Sequence, residues 1–414
     1  ASDWEFRRVL FRSGVEAANH YAMIARNRGA EVVVVLTHKG FESLSPSPEG
    51  PLVDFAEGLT PGLVDVVIGD HTNVKHSMTV NGTLIHENLS YGNTYAKTLL
   101  TVQPGQPGST VGRVGFVTEK SVAFVDPTTS ALSGDKSSCG ALTWCDQRVV
   151  SMLMPYRRAL AAAFDTRIGT TTAPFDRGGN IERRQEMPLG DLIADGMRAT
   201  YGTQLAFFNG GGIRSQLPAC GYMPTDLTLK RSNWNSTHDA ISACSGYASG
   251  SPMDLVTGDV YTVLPFGNNV LTRTVTGRQL WQALENGVSK FAANGTNTQG
   301  RFPQISGFKF TFHYTAPSGC SGSEVAPVTW TCTPSRVTAV TLEDGTPIPY
   351  DDSTTYTLAT IDFLNAGGDS YFVFADGEGV TRDRDANVFF SYLNSLGGTL
   401  DPSSYALDRI TKLP

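Results

Sequence analysis

The chain has 414 residues, 40% of them hydrophobic, which is enough to build cores in two or three domains. A formal net charge of -7 argues against a nucleic-acid polymer as partner, because phosphate backbones are bound through excess Lys and Arg. Charged residues at 17% beside 43 glycines suit a loop-rich extracellular protein, and the chain contains no apolar run long enough to predict a membrane-spanning helix.

Ala1 to Ser13 stand apart. Glu5-Phe6-Arg7-Arg8-Val9-Leu10-Phe11-Arg12-Ser13 leads into no strand or loop pattern, and residues 1–13 read as a non-native scar, with a basic N-terminal arm as the alternative. On the scar reading the chain is a fragment of a longer gene product. From Gly14 the pattern is regular: Val15, Ala18, Ala22 and Ala25 predict a helix stopped by Gly29. The apolar run Glu31 to Leu36 predicts a strand covered on both faces and ends in Thr37-His38-Lys39-Gly40. A second strand, Val64 to Ile68, ends in Gly69-Asp70-His71-Thr72-Asn73. Two histidines thus stand just past strand ends, where open α/β sheets place their chemistry, and neutral imidazoles there suit part of a two-metal centre. His20 is expected on an exposed helix face, and His76 and His86 on the surface. Asn81-Gly82 signals a hairpin turn, after which Leu84 to Asn88 and Tyr95 to Val102 read as strands that finish the first domain near Pro127. A polar loop follows to Gln147, then an amphipathic helix to Phe164 whose apolar stripe is expected to pack.

Beyond Arg183 a helix runs from Gly190 to Tyr201, and the apolar strand Gln204 to Phe208 enters Asn209-Gly210-Gly211-Gly212-Ile213-Arg214. Glycines without Cβ would let backbone N–H groups approach a ligand, and Arg214 offers a planar fork of donors to phosphate or carboxylate. Met223 to Gly258 reads as a surface insertion. Leu264-Pro265-Phe266-Gly267-Asn268 and Phe363-Leu364-Asn365-Ala366-Gly367-Gly368-Asp369 each set a ring beside glycine at a loop mouth, so Phe266 and Phe363 together could sandwich a flat base. Thr276 is placed to cap a helix, Gly300 to Gly307 opens another strand, and Phe308 to Phe312 and Val337 to Leu342 alternate as half-buried strands. Val388, Phe389, Tyr392 and Leu393 predict a closing helix. The six cysteines fall as Cys139 with Cys145, Cys220 with Cys244 and Cys320 with Cys332, in Ser/Gly/Pro-rich segments that predict three local disulfides in an oxidising compartment.

In order and spacing, the stretches at Phe207–Arg214, Leu264–Asn268, Gly300–Gly307 and Phe363–Asp369 resemble the C-terminal domain of the 5′-nucleotidase family of secreted metallophosphoesterases, over about Ile168 to Asp376. The Thr37-His38 strand end and the turn at His71 resemble the closing half of that family's metallophosphoesterase domain. The resemblance implies a mixed α/β (α+β) fold: the C-terminal half of an αββα sandwich over 14–127, a loop and connector helix over 128–167, and an α+β substrate-binding domain over 168–414. It implies that Phe266 and Phe363 clamp a nucleobase, that Asp369 and Asn209 bond the nucleoside beside Gly211, and that Arg214 and Arg183 hold phosphate, with Arg184 as the alternative to Arg183. It implies two divalent metal ions, zinc, manganese or similar, with His38 and His71 as ligands and Asn73 in place of the second histidine of a His-x-His pair. The family's Asp-x-His, Gly-Asp and Asn-His-Glu segments do not occur before His38, so this polypeptide alone is expected to bind metal weakly and turn over little. Ser370 stands where the family usually has glycine. The implied activity is hydrolysis of nucleoside 5′-phosphates at an extracellular, periplasmic or cell-surface location. The alternatives are a non-catalytic nucleotide-binding module and a phosphohydrolase of cyclic nucleotides or nucleotide sugars.

Overall fold

A computed structural model describes residues 14–45, 47–89, 95–103, 105, 111–117, 147–177, 180–219, 221–222, 224–231, 247–292, 294–295, 299–324 and 328–414. The readings of residues 1–13 and of the first two cysteine couples lie outside these residues. The chain divides into two compact units, one holding the described residues through 117 and the other those from 147.

The first unit begins with helix α1 (Gly14–Asn27), which seats Ala22 in the core with Val15, Ala18 and Ala25 against it. Strand β1 (Val34–Leu36), helix α2 (Pro51–Glu57) and strands β2 (Val66–Ile68), β3 (His76–Val80) and β4 (Thr83–Glu87) follow. They form a sheet in the order β1-β2-β4-β3, in which β1, β2 and β4 run parallel and β3 returns antiparallel. Asn81 and Gly82, at φ of 48° and 87°, make the tight turn between β3 and β4, and positive angles at both centres match the right-handed strand twist. Strands β5 (Tyr95–Thr101) and β6 (Val111–Val117) form a separate antiparallel pair.

Two expectations for this unit fail. Strand β1 is not covered on both faces: it is an edge of the described sheet, and Val34 and Leu36 are 48% and 77% exposed. An apolar run reports that a segment can be buried, whereas the neighbours decide whether it is. His86 is not a surface residue either. It lies inside the fully buried strand β4, where its Nε2 meets Thr98 Oγ1 at 3.1 Å and burial pushes the imidazole pKa down.

The second unit opens with helix α3 (Gln147–Phe164) and strand β7 (Arg167–Thr171). Helix α3 lays Phe164 against Tyr222 and Tyr261, but its predicted packing stripe is exposed at Leu153, Tyr156 and Leu160. Next come helix α4 (Pro188–Tyr201), strand β8 (Leu205–Asn209), strand β9 (Met253–Val256), helix α5 (Thr257–Val263), strand β10 (Asn269–Thr276) and helix α6 (Gly277–Val288). The insertion therefore ends before Met253, because Met253 to Val256 are all buried and pair with β7. Thr276 caps α6 reciprocally: its Oγ1 accepts from Gln279 N at 3.1 Å and its N–H donates to Gln279 Oε1 at 3.0 Å.

Strands β11 (Pro303–Ser306), β12 (Phe308–His313), β13 (Cys320–Ser321), β14 (Thr331–Cys332), β15 (Val337–Leu342) and β16 (Thr355–Ile361) lead into helix α7 (Asp362–Asn365). Strand β17 (Val380–Arg384), helix α8 (Asp385–Leu396), and strands β18 (Thr399–Leu400) and β19 (Ile410–Leu413) complete the chain. The principal sheet has the order β11-β8-β16-β10-β17, with β8 wholly buried at its heart. Helices α4 and α8 pack together, and Gly196 of α4 leaves room for the Tyr392 ring, which an added Cβ would meet at 2.9 Å. A smaller sheet, β15-β12-β19, carries the alternating Phe308, Phe310 and Phe312 into the same core. Cys320 and Cys332 form a disulfide across the β13–β14 pair.

Candidate functional site

Strand direction brings four loops to one edge of the principal sheet. Strands β8 and β16 run parallel, so their C-terminal ends, Asn209 and Ile361, lie on the same side. Strands β11 and β10 run antiparallel to them, so there they present their N-terminal ends: Pro303 pairs with Asn209, and Val270 with Ile361. The loops carrying Asn209–Arg214, Gly300–Phe302, Phe363–Asp369 and Phe266 therefore share that edge.

The glycines act differently from the expectation. The N–H groups of Gly210 and Gly211 donate to Phe302 O and Gly300 O, both at 2.8 Å, and are not free for a ligand. A Cβ on Gly210 would fall 2.1 Å from Glu182 O, and one on Gly211 would fall 2.9 Å from Gly300 Cα. They are glycines because other backbone segments press against them. Gly211 instead turns its carbonyl toward Arg214, whose Nη1 lies 3.4 Å away.

Contact with Gly210 brings in Arg183. It sits on a single 3-10 turn, Ile181–Arg183, which buried Gln304 of β11 staples to the sheet. Gln304 Nε2 donates to Glu182 O and Gln185 O, both at 2.9 Å, and its Oε1 accepts from Met187 N at 3.2 Å. Burial pulls the Arg183 guanidinium below its ordinary pKa; Glu182 opposes this, while Arg214 and Arg177 add to it as like charges and Asp369 opposes it as well. Arg183 and Arg214 thus share one electrostatic neighbourhood with Asp369, and an anion placed between the two guanidinium groups would relieve their repulsion.

Asp369 Oδ2 accepts from Asn209 Nδ2 at 2.7 Å, while Asn209 Oδ1 is buried without a partner among the described residues, as an acceptor left for a ligand would be. Phe363 packs its ring over Gly368, where an added Cβ would come within 2.5 Å of it. The Arg214 guanidinium lies 5.5 Å from the centre of the Phe266 ring. Phe266 and Phe363 are 60% and 43% exposed, high values for phenylalanine, whereas Arg183, Gly211, Arg214 and Asp369 are half-buried and Asn209 is buried. All seven expected substrate residues lie on these linked segments. Gln304 lies within the Gly300–Gly307 stretch that carries the resemblance, but the sequence assigned it no role; its own signal is a glutamine inside an otherwise buried strand pattern.

In the first unit His38, Asp70 and His71 meet. His38 Nδ1 lies 3.1 Å from Asp70 Oδ2 and His38 Nε2 lies 3.0 Å from His71 Nδ1, both rings being exposed. Glu87 ties the two loops together, its Oε2 accepting from Phe41 N at 2.9 Å and Thr72 Oγ1 at 2.7 Å. Asn73 is exposed at φ 59°. The three groups bond in a chain instead of converging on a point, and among the described residues no set of three or more His, Cys, Asp or Glu is arranged to hold an ion. What is present does not complete a divalent-metal site.

Comparison with known proteins bears on both units. Residues 167–376, half of the chain, match the family described as 5′-nucleotidase, C-terminal domain. The chain is 27% identical over 409 residues to a trifunctional nucleotide phosphoesterase protein of Bacillus subtilis, covering 95% of this chain and 22% of that protein. It is 22% identical over 408 residues to a 5′-nucleotidase of Diplobatis ommata, covering 94% and 60%. The crystal structure of a 5′-nucleotidase precursor from Thermus thermophilus superposes with a TM-score of 0.59 at 23% identity, over 97% of this chain and 68% of that one. The chain thus spans less than a quarter of its Bacillus relative, and the likeness to the Thermus structure is one of fold.

Proposed function

The chain belongs to the 5′-nucleotidase family through its C-terminal domain, and on that premise we propose that its second unit binds a nucleoside carrying a 5′-phosphate. Arg183 and Arg214 receive the phosphate, Phe266 and Phe363 flank the base, and Asp369 with Asn209 and the Gly211 loop meet the nucleoside between them. The observation that carries this reading is geometric: the turn of Arg183 presses on Gly210 and Arg214 reaches the Gly211 carbonyl, so both guanidinium-bearing residues flank the glycine turn that leads from the Asp369–Asn209 bond, with the half-exposed Phe266 and Phe363 rings on the same linked segments. The reaction this reading assigns is hydrolysis of nucleoside 5′-phosphates, outside the cell, in a periplasm or at a cell surface. The family is metal-dependent, and of the shell of two divalent ions, zinc, manganese or similar, His38, His71 and Asn73 would contribute only a part. No helix among the described residues is long and apolar enough to cross a membrane.

Titration calorimetry tests the reading with adenosine, AMP and inorganic phosphate on the chain as it stands. AMP is expected to bind more tightly than either fragment, and a chain that binds none of the three overturns the proposal. A second reading, the non-catalytic nucleotide-binding module, is favoured by the failure of His38, Asp70 and His71 to converge on a common point among the described residues. Phosphate release from AMP with added divalent metal separates the two, and the same assay with cyclic nucleotides and nucleotide sugars tests the remaining substrate classes.

A further inference from the structure

Asn286 lies in the last turns of α6 and is only 2% exposed, an uncommon place for a residue whose amide competes with helical hydrogen bonds. Both polar atoms of its side chain are bonded. Oδ1 accepts from Trp330 Nε1 at 3.0 Å and from Arg301 Nη1 at 3.2 Å, which fixes the orientation of the amide and leaves Nδ2 as donor. Nδ2 donates to the backbone carbonyl of Asp369 at 3.0 Å.

The loop on the receiving end needs such a hold. Asp369 and Ser370 are consecutive non-glycine residues at φ 53° and 64°, a conformation that persists only where the surroundings over-determine it. One restraint is the Asn209 bond to the Asp369 carboxylate, and another is Tyr371, whose hydroxyl donates to Arg301 O. The next helical position, Gly287, lets the loop approach, since a Cβ there would meet Pro303 Cδ at 2.8 Å and Tyr371 Oη at 3.0 Å. Behind Asn286, Arg301 is gripped by Glu324 at 3.0 and 3.2 Å, and Trp330 leads directly into β14, closed to β13 by the Cys320–Cys332 disulfide.

We propose that Asn286 is a positioning residue: it holds the backbone of Asp369 so that the carboxylate faces the nucleoside, and through Trp330 it makes the disulfide-closed hairpin part of that support. The proposal rests on the nucleoside reading of the second unit. Asn286→Asp is the informative variant, since it keeps the acceptor for Trp330 and Arg301 and replaces the donor to Asp369 O by a repelling oxygen. Trp330→Phe, which keeps the ring and loses the indole donor, is the milder companion should the first fail to fold.

Calorimetry with adenosine and with inorganic phosphate is combined with amide hydrogen exchange on the ligand-free chain. Asn286→Asp is expected to weaken adenosine about five- to tenfold and Trp330→Phe about twofold, while phosphate affinity stays within about twofold. Exchange should quicken at residues 367–371 and stay unchanged in α6 and β16. Unchanged adenosine affinity overturns the proposal, as does an equal loss for both ligands with faster exchange everywhere, which is ordinary destabilisation. Should the wild-type chain fail to bind adenosine, the nucleoside reading falls, and exchange at 367–371 in the variants decides by itself whether Asn286 holds the loop.

Discussion

Ser370, at φ 64°, occupies a backbone angle that suits glycine. A left-handed conformation costs an L-residue about 1–2 kcal/mol, of which glycine's extra chain entropy gives back about 0.5–1. Ser370→Gly should therefore raise unfolding free energy by roughly 0.5–1 kcal/mol, read from the urea midpoint at constant slope. The two phenylalanines are not equivalent. Phe363 packs on Gly368 beside Asp369, so Phe363→Ala should remove about 1–3 kcal/mol of stacking from adenosine and leave phosphate alone. Phe266 also lies against the Arg214 guanidinium, so Phe266→Ala should weaken both ligands. Calorimetry that finds the two variants identical would count against the arrangement. Arg214→Ala should weaken AMP by about 1.5–3 kcal/mol, the range for hydrogen bonds to a charged group, and adenosine hardly at all.

At the scale of elements, the site depends on backbones that touch. The 3-10 turn carrying Arg183 presses Glu182 O against Gly210 and hangs from Gln304 of β11. Gly210→Ala would push a methyl into that carbonyl, and neither side is the mobile end of a side chain. A cost of about 1–3 kcal/mol is expected, with loss of the preference for AMP over adenosine as Arg183 is displaced. Retained preference in a stably folded variant would show that the turn does not place the arginine. The helix ends are more local affairs. Thr276→Ala should lower stability by about 1 kcal/mol through the capping box of α6, visible as a lower thermal midpoint.

For the whole molecule, the buried titrating groups of the two units pull in opposite directions with pH. In the second unit burial pushes Asp191 up to about 8, with Arg409 opposing and Glu186 reinforcing, and burial pushes Asp385 up to about 6. A carboxyl whose folded pKa is raised contributes stability below its unfolded pKa near 4 that is lost as pH climbs through the folded value. These two groups should therefore make the second unit less stable from about pH 4 to pH 8, and Asp191→Asn should flatten that slope in denaturation curves. His86 acts the other way in the first unit: its folded pKa is depressed, so its contribution is present above about 6.5 and is lost as pH falls through the lower folded value. The amino-acid order by itself determined the glycine turns, the apolar strands leading into them and the helix cap at Thr276, because each follows from local backbone freedom or from a period of two or 3.6 residues, whereas the roles of the site residues come from the family resemblance. It could not decide that β1 lies open at an edge, that His86 is enclosed, that the glycine amides are spent on neighbouring backbone, or that Gln304 and Asn286 stand behind Arg183 and Asp369. Those outcomes depend on which distant segments meet, and a side-chain amide about 120 residues from the carbonyl it holds leaves no periodic trace in the chain.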